Sequence, residues 1–84
     1  MIRVLYFAWL RERIGHAEAE FPLPDGVTNV GDLVAWLSTR DAGHAAAFAH
    51  PRLVRAAVNQ AFADPATPIS AGDEIAFFPP VTGG

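Results

Sequence analysis

The side chains that most often do chemistry are few and dispersed in this sequence of 84 residues. We expect the three histidines, His16, His44 and His50, to be surface residues rather than metal ligands or bases. The adjacent carboxylates of Asp73 and Glu74 would point to opposite faces of a strand, so they do not form an acid–base pair. There is no cysteine, which removes disulfides, thiolate ligands and a cysteine nucleophile. The residues therefore predict no metal site and no complete set of catalytic side chains.

One reactive group remains, the α-carboxylate of Gly84. Pro79 and Pro80 fix two successive φ angles, so they favour a stiff, polyproline-like spacer after the preceding strand. The four residues that follow are two β-branched residues and two glycines: Val81, Thr82, Gly83 and Gly84. β-branched side chains favour an extended backbone, and glycine passes where a Cβ atom does not fit. We therefore predict that residues 79–84 form an extended tail that reaches about 20 Å, into the active site of another protein.

The hydrophobic pattern before this tail predicts short strands around one main helix. One stripe of apolar residues recurs at helical spacing and marks that helix: Val30, Leu33, Val34 and Leu37. Asn29 stands where a helix cap is expected. A helical turn at 8–14 should end at Gly15, and 41–51 is either a short helix or an irregular connection. Strands are predicted at 2–7, 17–23 (an edge strand, because of its prolines), 53–58, 61–63 and 74–78.

The order of these elements predicts an α+β fold of the β-grasp, ubiquitin-like type. In this roll, a mixed sheet of four to five strands has one main helix packed on one face. We assign residues 1–78 to the β-grasp domain and residues 79–84 to the tail.

The main helix covers one face of the sheet, yet two strands are apolar on both faces. The residues expected to point towards the helix are Ile2, Val4, Tyr6, Ile75 and Phe77. The opposite face then receives Leu5, Phe7 and Phe78, and Phe62 on the short strand can join them. Two explanations stay open: a short helical segment folds over these rings, or the rings bind a partner protein.

Composition indicates a folded domain without a polyanionic partner. Hydrophobic residues make up 51% of the sequence, and the formal net charge is −3. The six basic residues are spread out, which gives no reason to expect nucleic acid or an anionic membrane as a partner. The apolar run near the N-terminus is too short for a membrane span and lacks the layout of a secretory signal. We therefore expect a cytoplasmic protein.

Three stretches closely resemble the family of small, sulfur-carrier subunits of molybdopterin synthase: VLYFAWLRERIG at 4–15, AAVNQ at 56–60 and GDEIAFFPPVTGG at 72–84. The resemblance implies that an ATP-dependent activating enzyme adenylates Gly84 and that a persulfide donor then converts it to a thiocarboxylate. The part of the tail that would enter the large synthase subunit comprises Pro79, Pro80, Val81, Thr82 and Gly83. There the sulfur would pass to cyclic pyranopterin monophosphate and form part of the dithiolene of molybdopterin.

The resemblance also implies an assembly of two large and two small subunits. The small subunit would bind no cofactor and, taken alone, would not be an enzyme; it would be the non-catalytic, sulfur-donating subunit of a sulfurtransferase. Phe7, Phe62 and Phe78 match the positions of the family's hydrophobic contact with the large subunit.

Three other functions remain open from the sequence. The chain can be a sulfur carrier for another pathway, leading to thiamine, a tungsten cofactor or an amino acid, although the FFPPVTGG ending disfavours thiamine. It can be a ubiquitin-like modifier that forms isopeptide bonds with lysines of other proteins. It can also be a β-grasp interaction module whose terminal glycines have no role.

Overall fold

The computed structural model describes residues 1–80, which form a five-stranded mixed sheet with helices on one side. The strands are β1 (Ile2–Tyr6), β2 (Glu18–Phe21), β3 (Arg55–Val58), β4 (Ala61–Ala63) and β5 (Glu74–Phe78). The helices are α1 (Ala8–Ile14), α2 (Val30–Ser38) and α3 (Ala42–Ala47), and a 3-10 helical turn covers Pro51–Leu53. The strand order is β2-β1-β5-β3-β4, in which β1 and β5 are parallel and the other pairs antiparallel. The predicted α+β arrangement, with its mixed sheet and main helix, is confirmed.

The centre of the sheet joins the first strand to the last. β1 and β5 pair in register from Arg3 opposite Glu74 to Tyr6 opposite Phe77. Alternate residues of both strands point into the core, as the alternation in the sequence predicted. The core residues of this pair are at most 2% exposed: Ile2, Val4, Tyr6, Ile75 and Phe77.

The main helix, α2, begins where the sequence places its cap. The side-chain oxygen of Asn29 accepts a hydrogen bond from the backbone N–H of Asp32 at 2.7 Å. The Asp32 carboxylate in turn accepts hydrogen bonds from the backbone N–H and the hydroxyl of Thr28, at 3.1 and 3.0 Å. The Asn29 oxygen thus supplies a partner to an N–H group that the first helical turn leaves free, and the Asp32 carboxylate fixes the residue before the cap to the start of the helix. The buried members of the predicted stripe are Val30, Leu33 and Leu37.

The two shorter helices pack on the same side of the sheet as α2. Leu10 and Ile14 of α1 and Ala47 of α3 belong to the same buried core. The helices touch closely, since a Cβ atom added to Gly43 would lie 2.7 Å from the backbone oxygen of Arg13. The idea that one of these segments folds over the rings of the opposite face is therefore wrong.

His44 is buried, which contradicts the expectation that it lies on the surface. It is 4% exposed, and its two ring nitrogens lie 3.1 Å from the Tyr6 hydroxyl and 2.9 Å from the Asp41 carboxylate. With Nδ1–H donating to Asp41, Nε2 accepts the Tyr6 hydroxyl proton. Burial raises the pKa of Tyr6 to about 12. Because Tyr6 lies 38 positions away along the chain, no local sequence pattern reveals this pairing. His16 and His50 are exposed, as expected.

The predicted strand at 53–58 is shorter than expected. A 3-10 turn begins at Pro51 and includes Leu53, so β3 starts at Arg55. The hairpin from β3 to β4 then turns at Asn59 and Gln60, with φ angles of 50° and 70°. A two-residue loop with two positive φ angles matches the twist of antiparallel strands, so it sets the register of β4.

Candidate functional site

The sheet face opposite the helices carries a contiguous group of apolar side chains. The strand registers place them on or directly after four neighbouring strands, β1, β5, β3 and β4, and we call this group the outer patch: Leu5, Phe7, Ala57, Phe62, Ala76 and Phe78. Within residues 1–80, the helices all pack on the other face and leave the outer patch uncovered. An uncovered apolar group on a small protein usually marks an interaction site.

The three phenylalanines predicted to bind a partner all belong to the outer patch. Phe62 is 84% exposed and Phe7 is 47% exposed, while Phe78 is half-buried. The ring centroids of Phe62 and Phe78 lie 6.1 Å apart, with an angle of 49° between the ring planes. The backbone N–H of Phe7 donates to the Phe77 oxygen at 3.0 Å, so the β1–β5 pairing extends by one residue and brings Phe7 beside the end of β5. Their role in partner binding stays a prediction.

The other half of the same face is charged. Arg3 on β1 lies between Glu18 of β2 and Glu74 of β5; its Nε donates to Glu18 at 3.0 Å, and its terminal nitrogen is 3.6 Å from Glu74. The hydrogen bond to Glu18, with the charge of that carboxylate, raises the pKa of Arg3 above its ordinary value. The side chains of Arg3 and Glu18 are about half-exposed and that of Glu74 is partly exposed, so solvent screens these ion pairs and they contribute little to stability. They give the outer patch a hydrophilic border on the β2 side.

The tail begins at the edge of the outer patch. Phe78, the last residue of β5, pairs with Arg55 of β3. Pro79 and Pro80 follow without regular secondary structure and are half-buried. The remaining predicted tail residues, Val81, Thr82, Gly83 and Gly84, lie outside the described residues. The extended tail, its carboxylate and the boundary between domain and tail therefore stay predictions.

An apolar cleft on the helical side was not foreseen from the sequence. Its volume is about 600 Å³, and it lies between the start of α2, the 3-10 turn and the β3–β4 hairpin. Val34, Phe48 and Ala56 are among its lining residues, with Asp64 and Arg55 as the charged ones. The cleft depends on how α2 sits over the β3–β4 hairpin, so no local pattern predicts it.

The described part of the chain offers little for metal or membrane binding. Among residues 1–80, no three side chains of the metal-ligating types lie close enough together to hold an ion. No helix in the same range has the length and hydrophobicity needed to span a bilayer.

Comparison with known proteins gives consistent matches over the whole chain. The ThiS family model matches residues 4–84. The molybdopterin synthase sulfur carrier subunit of Escherichia coli is 40% identical, with all of both chains covered. The subunit of the same name from Mycobacterium tuberculosis is 36% identical over 99% of this chain and 96% of the relative. Among solved structures, SAMP1 of Haloferax volcanii, the small archaeal modifier protein 1, is 28% identical with a TM-score of 0.72, covering 99% of this chain and 98% of its own.

Proposed function

The chain belongs to the ThiS family, and from that membership we propose that it is the sulfur carrier subunit of a molybdopterin synthase. The observation that carries the proposal is the full-length similarity to subunits of that name, which extends through the terminal glycines. An uncovered apolar patch beside the root of the tail supports it, because a carrier must dock on the protein that receives its cargo.

In the proposed cycle, chemistry takes place at the carboxylate of Gly84. A carboxylate is a poor electrophile, so an activating enzyme first uses ATP to convert it to an acyl adenylate, with release of pyrophosphate. The outer sulfur of a persulfide donor displaces AMP and forms an acyl disulfide; a thiol of the donor or of the activating enzyme then cleaves the S–S bond, which releases the thiocarboxylate and leaves a disulfide behind. The sulfur then passes to cyclic pyranopterin monophosphate during formation of the molybdopterin dithiolene, and Gly84 returns to a carboxylate. ATP is bound by the activating enzyme, and this chain holds no cofactor.

The proposed partner in sulfur transfer is the large subunit of the synthase. The outer patch, with Phe7, Phe62 and Phe78, would dock on it and direct residues 79–84 into its active site. Two small and two large subunits would form the assembly. The large subunit would supply the acid–base groups, so this chain alone would not be an enzyme. The pathway would operate in the cytoplasm.

The decisive experiment is intact mass spectrometry of the chain after incubation with the activating enzyme, ATP and a sulfur source. We expect the mass increase of one oxygen replaced by sulfur, located in the C-terminal peptide. An unchanged mass would refute the proposal if pyrophosphate release shows that the activating enzyme turned over.

A short peptide added after Gly84 tests the same point independently. The added peptide should abolish sulfur transfer while the circular dichroism spectrum and melting temperature stay the same. A tagged chain with full activity would exclude Gly84 as the carrier group.

A second function receives support from the likeness to SAMP1, which is named a modifier protein. In that case the activated Gly84 would form isopeptide bonds with lysines of other proteins. Adducts of higher mass that resist reducing agents in cell extract would favour this function. Carriers for thiamine, a tungsten cofactor or an amino acid would be distinguished by the protein that co-purifies with the chain.

A further inference from the structure

The junction between β1 and α1 breaks two local rules of sequence. Ala8 has a φ angle of 54°, in the left-handed region that residues with a Cβ atom rarely adopt. Phe7 stands at the N-cap of α1, where a short polar side chain is usual, and it makes no side-chain cap hydrogen bond. Natural sequences depart from such rules mainly at functional sites, so this junction needs an explanation beyond folding.

The left-handed turn at Ala8 has a cost that glycine would avoid. A positive φ brings the Cβ atom of an L-residue close to the following carbonyl oxygen, which lowers the equilibrium constant for folding by ~5- to 30-fold. Other positions of positive φ in the same chain hold glycine: Gly15, Gly26 and Gly72. Ala8 is exposed, so burial of its methyl group does not offset the strain.

The turn at Ala8 fixes the position of Phe7. The backbone N–H of Phe7 donates to the Phe77 oxygen at 3.0 Å, which continues the ladder between β1 and β5. The backbone oxygen of Phe7 accepts a hydrogen bond from the N–H of Leu10 at 3.2 Å, in the first turn of α1. Only Phe7 separates the strand from the helix, so both of its backbone groups are held. Its ring therefore stays on the outer face, where Phe7 is 47% exposed.

The other non-glycine residues with positive φ also border the outer patch. Within residues 1–80 they are Asn59 and Gln60, with φ angles of 50° and 70°, in the loop that leads into β4. Phe62 follows this loop closely, and the loop sets its register opposite Ala57. In this part of the chain, left-handed backbone without glycine thus occurs only within three positions of a phenylalanine of the outer patch.

We propose that Ala8 is a positioning residue for partner docking. Its left-handed backbone sets the direction in which the Phe7 ring leaves the sheet before the partner arrives, so this ring does not have to be ordered on binding. Strain that persists in a folded protein is concentrated at positions that serve binding or catalysis, and the outer patch supplies such a use here. The inference rests on the proposed docking of the outer patch on the large subunit, and it adds the residue that holds Phe7 in place.

The test compares two substitutions of similar size at the same exposed position, Ala8→Asn and Ala8→Val. Asparagine tolerates a left-handed φ, whereas valine, which is branched at Cβ, does not. Isothermal titration calorimetry of the full chain with the large subunit measures affinity, and amide hydrogen exchange reports whether the Phe7 N–H keeps its bond to Phe77. We expect Ala8→Asn to bind within about twofold of the natural chain and to keep this amide protected. Ala8→Val should bind at least ~10-fold more weakly and exchange the amide faster.

Gly26→Val is the control that separates strain from position. Gly26 has a φ angle of 82°, and a Cβ atom added there meets no atom within 4 Å. Valine at this position therefore adds the same kind of backbone strain in a turn outside the outer patch. It should lower the melting temperature and leave the affinity within about twofold.

Two results would overturn the inference while the natural chain binds the large subunit. One is natural affinity in a folded Ala8→Val chain, and the other is an equal loss of affinity in Ala8→Asn. Where Ala8→Val fails to fold, Ala8→Leu replaces it, since an unbranched side chain is less strained at positive φ, and a loss of affinity relative to Ala8→Asn is again expected. Absence of binding by the natural chain would instead refute the proposed docking, and the inference would fall with it.

Discussion

Replacement of Phe62 by alanine should separate partner binding from folding. Phe62 lies on the edge strand β4 and is 84% exposed, so the folded domain gains little from burying it. The substitution removes the contact with the Phe78 ring, whose centroid lies 6.1 Å away, and replaces a residue of high strand propensity with one of lower propensity. We expect the free energy of unfolding to fall by less than ~1 kcal/mol. In a domain of this size, that corresponds to a melting temperature lower by at most ~4–8 °C.

The effect on binding should be larger. If the ring is buried against the large subunit, Phe62→Ala removes roughly 100 Å² of apolar contact, worth about 2–3 kcal/mol at ~25 cal/mol per Å². The dissociation constant should therefore rise ~30- to 150-fold. A change of this size is typical of an aromatic residue at the centre of an interface.

Isothermal titration calorimetry with the large subunit measures the binding change, and thermal unfolding followed by circular dichroism measures stability. Phe21→Ala is the matched control, because Phe21 lies on the other edge strand, faces the helices and contacts Trp36 at 5.1 Å. It should lower the melting temperature and leave the affinity within about twofold, given its distance from the outer patch. Unchanged affinity in Phe62→Ala, or an equal loss in Phe21→Ala, would refute the assignment of the outer patch.

Three further predictions concern the packing of α3. Tyr6→Phe leaves the buried Nε2 of His44 without its partner and should cost ~1–3 kcal/mol in urea unfolding, whereas adding His44→Leu should recover part of that loss. Hydrogen bonds from the backbone and side chain of His44 lower the pKa of Asp41 from its ordinary value of 3.8. The ionised Asp41 carboxylate therefore stabilises the fold fully above pH ~4, and this contribution is lost as the pH falls through the lowered pKa of the folded state. Asp41→Asn should lose stability less steeply in acid than the natural chain, and an identical dependence of unfolding on pH would contradict this. Gly43→Ala gains up to ~1 kcal/mol of helix propensity, but the new Cβ atom would lie 2.7 Å from the backbone oxygen of Arg13. The substitution should therefore lower the melting temperature. A higher melting temperature would show that α1 and α3 can move apart at little cost.

The elements that the sequence predicts well are those whose signals are local. The alternation of Ile2, Val4 and Tyr6, the stripe in α2 and the cap at Asn29 each lie within a few residues, and each is present in the structure. The short strand after the Asn59–Gln60 turn, together with the resemblance to the family, predicts that Phe62 lies on the outer face, where the structure has it opposite Ala57.

The errors concern contacts between distant parts of the chain. The burial of His44 depends on a hydroxyl from β1, and the side on which α3 packs depends on the close approach of Gly43 to α1. Neither contact has a periodic pattern. The 3-10 turn that shortens β3 follows from Pro51, which fixes φ at a position where a short helical turn can begin. The role of Gly84 could be proposed from the residues and the family resemblance, because it depends on chemistry rather than on packing.

The pairing of β1 with β5 has a consequence for biosynthesis. β5 lies between two antiparallel pairs, β1 with β2 and β3 with β4, and the inner edges of β1 and β3 stay unpaired until Glu74–Phe78 has been synthesised. A nascent chain that stops before this segment leaves the middle of the sheet open, and the core loses Ile75 and Phe77. Such fragments should be degraded rather than accumulate, since they cannot bury enough apolar surface to stay folded. Completion of the fold therefore comes only a few residues before synthesis of the predicted tail, so nearly every folded copy in the cell should carry the residues on which the proposed function depends.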